Sequence, residues 1–334
     1  MKSSEGNPLT TIQRQSFDIL KSRASSSHTL DSLHFSSDTP QQKVSVAYLG
    51  PRGTYTHQAA IECFQSSAQH LAVNTIADIF DSVKHKDATF GLAPVENSTN
   101  GSVAITLDLF RDQDELYIWN ETYLRVSHCL LGTSDTGKVK RLYSHPQASI
   151  WVYYTNGKAF GQCELWLSKY LPGVNRINTN STSQAAQAAE LDPEGASISS
   201  MICADIYNLR VLAMRIQDSD DNTTRFFVIS KSPNYETEEA ITLMNLPQQK
   251  NFLRKTILRF TPNPMKQMAV SKCLLILTQF RVLSVIIRPS LKKDWHYVYF
   301  AELEGELSEE NLRDMELLCV DIRVLGSFWS RFTI

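Results

Sequence analysis

The sequence predicts an α/β protein in two parts, with a largely parallel sheet in the first. Three observations carry that prediction. Between residues 43 and 230, an apolar strand-like run ends four times in a cluster of Gly, Pro, Ser, Thr or Asn and gives way to a helical pattern; strands alternating with helices imply parallel pairing. A polar stretch, residues 231–253, then interrupts the patterning, and a second compact unit runs over 254–331. The length of 334 residues suits two domains with ample cores.

Residues 1–42 are rich in Ser and lack sustained periodicity, so they read as a disordered tail. They contain no apolar segment of a secretory signal, and Glu5, Asp18, Asp31 and Asp38 balance Lys2, Arg14, Lys21 and Arg23, which disfavours a transit peptide. The longest apolar run, Cys273 to Ile287, is broken by Gln279 and Arg281 and is shorter than the ~20 residues of a membrane span. A net charge of -2 calls for neither nucleic acid nor an anionic membrane as partner. The six cysteines are scattered without a C-x-x-C pair, which argues against a metal site or disulfide scaffold and for reduced thiols in the cytoplasm.

The four strand-like runs come in order. Val44–Leu49 precedes Gly50-Pro51-Arg52-Gly53-Thr54, and Phe90–Val95 precedes the polar cluster Glu96 to Ser102. Val139–Tyr143 precedes Ser144-His145-Pro146-Gln147, and Val174–Asn178 precedes Ser181-Thr182-Ser183-Gln184, which fits a capping box. In such folds ligands bind beyond the carboxyl ends of strands, where helix N-termini present free N–H groups. One such end reads as ordinary capping; four together point to a site. None has a phosphate-loop pattern, so a small carboxylated ligand fits better than a nucleotide. Asn97-Ser98-Thr99 and Asn100-Gly101-Ser102 match the glycosylation pattern, but a chain outside the secretory pathway leaves them unmodified. Glu96 is the sole carboxylate in the cluster, suited to be a general acid or a local acceptor of N–H groups. Asn222-Thr223-Thr224-Arg225-Phe226 leads into a further strand and by itself reads as a solvated turn. His57 and His145 lie just inside predicted helix starts, lack a nucleophile or metal-ligand companion, and read as structural.

The segments "LGPRGTYTHQAA", "PVENSTNGSV", "YLRVSHCLLG", "YSHPQA…GQCELWL" and "NTTRFFVIS" fall in the order and spacing of prephenate dehydratases, and "RPSLKKDWHYVYFAELEG…VLGSF" resembles the regulatory ACT domain that follows in that family. The resemblance spans residues 44 to 329, in a monofunctional, fungal-type arrangement. It implies conversion of prephenate to phenylpyruvate, water and carbon dioxide in phenylalanine biosynthesis. It implies a two-lobed, periplasmic-binding-protein-like catalytic domain, with lobe one at about 44–120 and 205–230 and lobe two at about 121–204, followed by a βαββαβ ACT-like domain. The threonine before arginine in the Thr-Arg-Phe motif, here Thr224, is the implied catalytic residue. Thr54, Tyr55, Asn97, Ser98, Arg225 and Phe226 match positions implied to bind the substrate. No metal or organic cofactor is implied, and the implied partners are prephenate, a weak phenylalanine effector and further copies of the chain in a homodimer or higher homo-oligomer.

Two segments depart from the family pattern. Twelve residues, Ser149 to Phe160, separate the His-Pro-Gln-Ala motif from Gly-Gln-Cys. They read as a tolerated loop or as a gene-model error, and the run of aromatics favours the error; removing them is then expected to raise stability and activity. In the ACT-like part, Pro-Gly-Ala-Leu is replaced by Pro262-Asn263-Pro264-Met265, and of Glu-Ser-Arg-Pro only Arg288 and Pro289 remain after Ile286-Ile287. Feedback by phenylalanine is therefore expected to be weak. The rival readings are arogenate dehydratase and a non-catalytic small-anion sensor on the same scaffold.

Overall fold

The computed structural model describes residues 44–64, 68–145, 161–232, 253–291 and 295–330. The expected tail over 1–42, nearly all of the linker over 231–253 and the insert Ser149–Phe160 lie outside them.

The first sheet holds β1 (Ser45–Leu49), β2 (Gln69–Val73), β3 (Phe90–Asn97), β5 (Tyr117–Arg125) and β11 (Thr223–Ser230) in the order β2-β1-β3-β11-β5, with the short β4 (Gly101–Ser102) paired to β3. Helices α1 (Tyr55–Phe64), α2 (Ile76–Lys84) and α3 (Ala104–Asp112) accompany it. Helix α2 begins at a complete capping box, Thr75 with Asp78, and buries Ile79, Phe80 and Val83 along one stripe. The second sheet holds β6 (Cys129–Gly132), β7 (Arg141–Ser144), β8 (Asn175–Asn178), β9 (Gly195–Ser199) and β10 (Arg210–Met214) in the order β10-β6-β9-β7-β8, with α4 (Glu164–Tyr170), α5 (Thr182–Glu190) and α6 (Ile202–Ile206). At the start of α5, Ser181 accepts from the Gln184 N–H, half of the expected capping box, while the Gln184 side chain accepts the Asn180 N–H rather than that of Ser181.

Each of these sheets is mixed, not largely parallel. Pairs β1–β2, β1–β3, β7–β8 and β7–β9 are parallel. Strand β11 runs antiparallel to both β3 and β5, and β6 antiparallel to both β9 and β10. The chain leaves the first sheet through β5 into β6 and returns through β10 into β11, and the returning strand inserts in the opposite direction. The crossings also fall later than expected. β5 stays in the first sheet to Arg125, and β10 stays in the second to Met214, so the changes of lobe lie after 125 and after 214 rather than at 120 and 204.

The C-terminal unit has the expected βαββαβ order: β12 (Leu253–Pro262), α7 (Ala269–Leu277), β13 (Arg281–Pro289), β14 (Tyr297–Glu304), α8 (Glu309–Glu316) and β15 (Cys319–Ser330), with strand order β13-β14-β12-β15. One face of its sheet packs with α7 and α8 through Leu258, Phe260, Cys273, Leu277 and Met315. The other face shares a core with the first lobe, where Ile257, Val298, Phe300, Leu325 and Phe328 meet Ala93, Phe110, Ile118 and Phe227. Here β15 approaches β5 so closely that a Cβ on Gly326 would lie 2.0 Å from the Ile118 carbonyl oxygen, which no other residue type accommodates without moving backbone.

Candidate active site

All four strand ends singled out in the sequence meet at one cleft of about 400 Å³. The end of β1 contributes Leu49 and Gly50, and the first turn of α1 contributes Thr54, Tyr55 and Thr56. The end of β3 brings Asn97 and Asn100, the end of β7 brings His145, and the start of α5 brings Asn180, Ser181 and Thr182. Thr224 and Asn222, at the start of β11, face them. Among the described residues the lining carries no Asp, Glu, Lys or Arg. Burial lowers the pKa of His145 below its ordinary value, so this ring too is neutral near pH 7.

Asn97 and Thr224 are locked together. The Asn97 Oδ1 accepts the backbone N–H groups of Thr99 (3.1 Å) and Asn100 (3.0 Å). Two N–H donors can face only the oxygen of an amide, so its Nδ2 must point the other way. That Nδ2 donates to Thr224 Oγ1 at 3.0 Å and to Asn222 Oδ1 at 2.7 Å. The polar cluster is therefore chiefly a turn that aims one amide. Ser98 serves the same turn from outside the cleft: its hydroxyl donates to the Asp221 carbonyl at 2.7 Å and accepts the Thr223 N–H at 2.9 Å.

Tyr55 anchors a second network. Its hydroxyl lies 2.6 Å from His128 Nδ1, while His128 Nε2 lies 2.6 Å from Gln162 Oε1. With the Gln162 oxygen accepting, Nε2 carries the proton and Nδ1 accepts from Tyr55. Burial keeps His128 neutral by lowering its pKa, against the opposing pull of Gln162, and burial raises the Tyr55 pKa well above its ordinary value. His128 and Gln162 were given no role in the sequence, and Asn222 was read only as part of a solvated turn. His128 lay in plain view inside "YLRVSHCLLG", but nothing in sequence spacing links it to Tyr55, 73 residues away.

His57 is structural, as expected. Its Nδ1 accepts the Gly53 N–H at 3.0 Å and its ring stacks on Tyr48. Gly53, at φ +91°, presents its carbonyl to Ser200 Oγ (2.7 Å) and Cys203 Sγ (3.1 Å) of the second lobe. Burial, with His70 and Arg52 nearby, lowers the His57 pKa from 6.5 to about 4. The unfolded chain then takes up this proton before the folded one does. The stability contributed by the neutral ring is complete above its unfolded value and is lost as pH falls from 6.5 towards 4. The thermal midpoint is expected to fall between about pH 7 and about pH 5, and His57→Gln to flatten that fall; an equally steep fall in the variant would assign the acid sensitivity elsewhere.

Besides Ser98, three residues expected at the site lie elsewhere. Arg225 points to the opposite face of β11 from Thr224, because successive side chains of a strand alternate. There it is buried against Glu121 and Glu302. Phe226 returns to the Thr224 side but lies in the core with Tyr48, Phe64 and Phe90. Glu96 is half-exposed, 4.0 Å from Arg225 Nη1, and does not line the cleft. The reason is a β-bulge. β3 places Phe90 and Leu92 in the core beneath α1, and Ala93 and Val95 in the core facing the C-terminal unit. Strict alternation would return Glu96 to the α1 side. The register slips at Val95, so that Phe226 faces Pro94 while Arg225 faces Glu96, and Asn97 arrives opposite Thr224.

A two-lobed α/β protein whose neutral, donor-lined cleft lies at strand ends and helix N-termini belongs to the proteins that bind or transform small anions. Residues 46–234 match the prephenate dehydratase family, and the chain belongs to it. It is 35% identical, over 86% of its length, to a bifunctional chorismate mutase/prephenate dehydratase of Aquifex aeolicus, of which it covers 74%. It is 28% identical, over 85% of its length, to a prephenate dehydratase of Bacillus subtilis, of which it covers 98%. A solved prephenate dehydratase of Arthrobacter aurescens in complex with L-Phe shares the fold, with a TM-score of 0.68 and 24% identity over 85% of this chain and 89% of that one.

Proposed function

We propose that the cleft between the lobes converts prephenate to phenylpyruvate, water and carbon dioxide, with Thr224 assisting departure of the ring hydroxyl. The observation that carries this assignment is the fixed Asn97 amide, whose Nδ2 donates to Thr224 Oγ1. With that lone pair engaged, the Thr224 hydroxyl proton is directed away from Asn97, where it can donate to an oxygen in the cleft. As the carbon–carbon bond to the ring carboxylate breaks, its electrons enter the ring and carbon dioxide leaves. The carbon–oxygen bond breaks with its pair on oxygen, and that oxygen takes a proton to become water. A threonine hydroxyl is a weak acid, so its role is a hydrogen bond that strengthens as charge develops on the departing oxygen, with the proton delivered through water. The N-termini of α1 and α5, with Thr56, Ser181 and Thr182, offer neutral donors and positive dipole ends to the two carboxylates, while the Thr54 hydroxyl caps α1 by donating to the Leu49 carbonyl and accepting the His57 N–H.

The family assignment favours this lyase over arogenate dehydratase and over a sensor without catalysis. Supplying each substrate to the purified chain tests the choice: phenylpyruvate from prephenate at the higher kcat/KM is expected, and faster phenylalanine formation from arogenate would reverse it. The same reading takes the enzyme to be cytoplasmic, which the scattered cysteines without a C-x-x-C pair support. It also makes the C-terminal unit the pairing surface of a homodimer or larger homo-oligomer. Support comes from edge strand β13, which exposes Val282, Val285 and Ile287.

Phenylalanine is expected to be a weak effector. A pocket of about 300 Å³ lies at Pro262, Asn263 and Pro264. Close approach of an amino acid's charged ends to backbone is hindered by side chains where the family has glycine, and Pro264 supplies no N–H. The cation kept from the second motif, Arg288, is already engaged by both carboxylate oxygens of Asp108 at 2.8 Å, and the Pro289 carbonyl accepts from Arg111. Calorimetric titration is expected to show millimolar or weaker binding, roughly -4 kcal/mol. Tight binding coupled to loss of activity would refute the motif argument.

A further inference from the structure

We infer that Glu302 of the C-terminal unit is a positioning residue for catalysis, holding Thr224 in place through Arg225. The inference rests on the role given to Thr224 above. Thr224 is the second residue of β11, where the strand emerges from the loop that crosses between lobes. A strand end is held by few ladder hydrogen bonds and opens at low cost unless something anchors it. The next residue supplies the anchor. Arg225 Nη1 and Nη2 donate to the two Glu302 oxygens at 2.7 and 2.8 Å, and Nε donates to Glu121 at 2.7 Å. Such a bidentate pair fixes the plane of the guanidinium as well as its place. Lys255, fully buried on β12, closes the square with contacts to Glu121 at 3.0 Å and Glu302 at 3.2 Å.

A simpler role for these four charges would be adhesion between the C-terminal unit and the first lobe. Apolar contact already performs that task alongside, through Val298, Phe300 and Phe328. Buried ion networks seldom stabilise more than apolar side chains of the same volume. What the network adds is direction. It clamps one face of β11 at Arg225, while on the other face the residue before it meets the cleft. A shift of the clamp tilts the pleat and moves the Thr224 hydroxyl relative to Asn97. Glu302 touches no cleft atom, so its effect on rate passes through Arg225.

The test compares the full-length wild type, Glu302→Gln and Thr224→Val for turnover of prephenate, with chemical unfolding of each chain to confirm that the assayed protein is folded. E302Q keeps the shape of the side chain and removes its charge. The expected result is a kcat lowered by about 10- to 100-fold with KM changed by less than about 3-fold, as for a reacting group misplaced by a fraction of an ångström. Glu302→Asp, which keeps the charge, is expected to recover part of the loss. A folded E302Q with wild-type kcat, beside an inactive T224V, overturns this inference alone. A wild type without turnover, or an active T224V, overturns the Thr224 reading and this inference with it. Should E302Q not fold, E302D is measured instead, and wild-type kcat in that chain overturns the inference.

Discussion

Thr224→Val is expected to lower kcat for prephenate by ~10²–10⁴-fold, the range typical of a lost proton-assisting group, while leaving fold and substrate affinity nearly intact. Valine matches threonine in shape and β-branching, so β11 keeps its pairing with β3 and β5. The hydroxyl oxygen is an acceptor for Asn97 Nδ2, yet that amide retains Asn222 as a second acceptor at 2.7 Å, so the loss does not strand a buried donor. The expected outcome is therefore a change in kcat with little change in KM or in the unfolding midpoint. A variant with most of the wild-type kcat would remove Thr224 from the mechanism.

Glu121→Ala is expected to destabilise the chain by ~3–5 kcal/mol, the cost of breaking a buried charge network by removing one partner. The Glu121 side chain is 1% exposed and accepts from Arg225, Lys255 and Ser330. Its removal leaves two cations facing one carboxylate in the interface between the first lobe and the C-terminal unit. Urea unfolding measures the effect; a change below about 1 kcal/mol would mean that the network adds nothing to the joint. The same network sets an acid limit. Burial raises the Glu302 pKa, but hydrogen bonding to Arg225 and the charges of Arg225 and Lys255 outweigh it and hold the carboxyl below its ordinary 4.5. Its contribution to stability is present above that unfolded value and is lost as pH falls through the lower folded one.

The strand ends were legible because their chemistry is local. An apolar run closing in small polar residues marks a strand passing into a helix, and the four such ends do gather at one cleft. Facing along β11 was equally readable in principle: alternation alone separates Arg225 from Thr224, and only its place in the Thr-Arg-Phe motif suggested otherwise. Asn97 was expected through its motif, but the turning away of Glu96 was not readable, since a bulge exists only in the pairing of two strands and leaves no periodic trace in either. Nor was the Tyr55–His128–Gln162 network, whose members belong to different lobes and meet only after folding. The mixed sheets escaped for the same reason. Local patterning shows that strands and helices alternate, but the direction of a strand returning from another lobe depends on the whole chain path.

On the proposed mechanism a neutral cleft places the prephenate ring hydroxyl against Thr224 and its carboxylates at the N-termini of α1 and α5. A crystal structure of T224V with prephenate bound tests it most directly, because the inactive chain holds the substrate intact. The expected complex has the ring hydroxyl within about 4 Å of the substituted side chain on β11, the reach of one lost hydrogen bond plus a methyl group, with the carboxylates on backbone N–H groups near Thr54 and Ser181. Prephenate bound outside this cleft, or bound within it with the ring hydroxyl turned towards the second lobe, would contradict it.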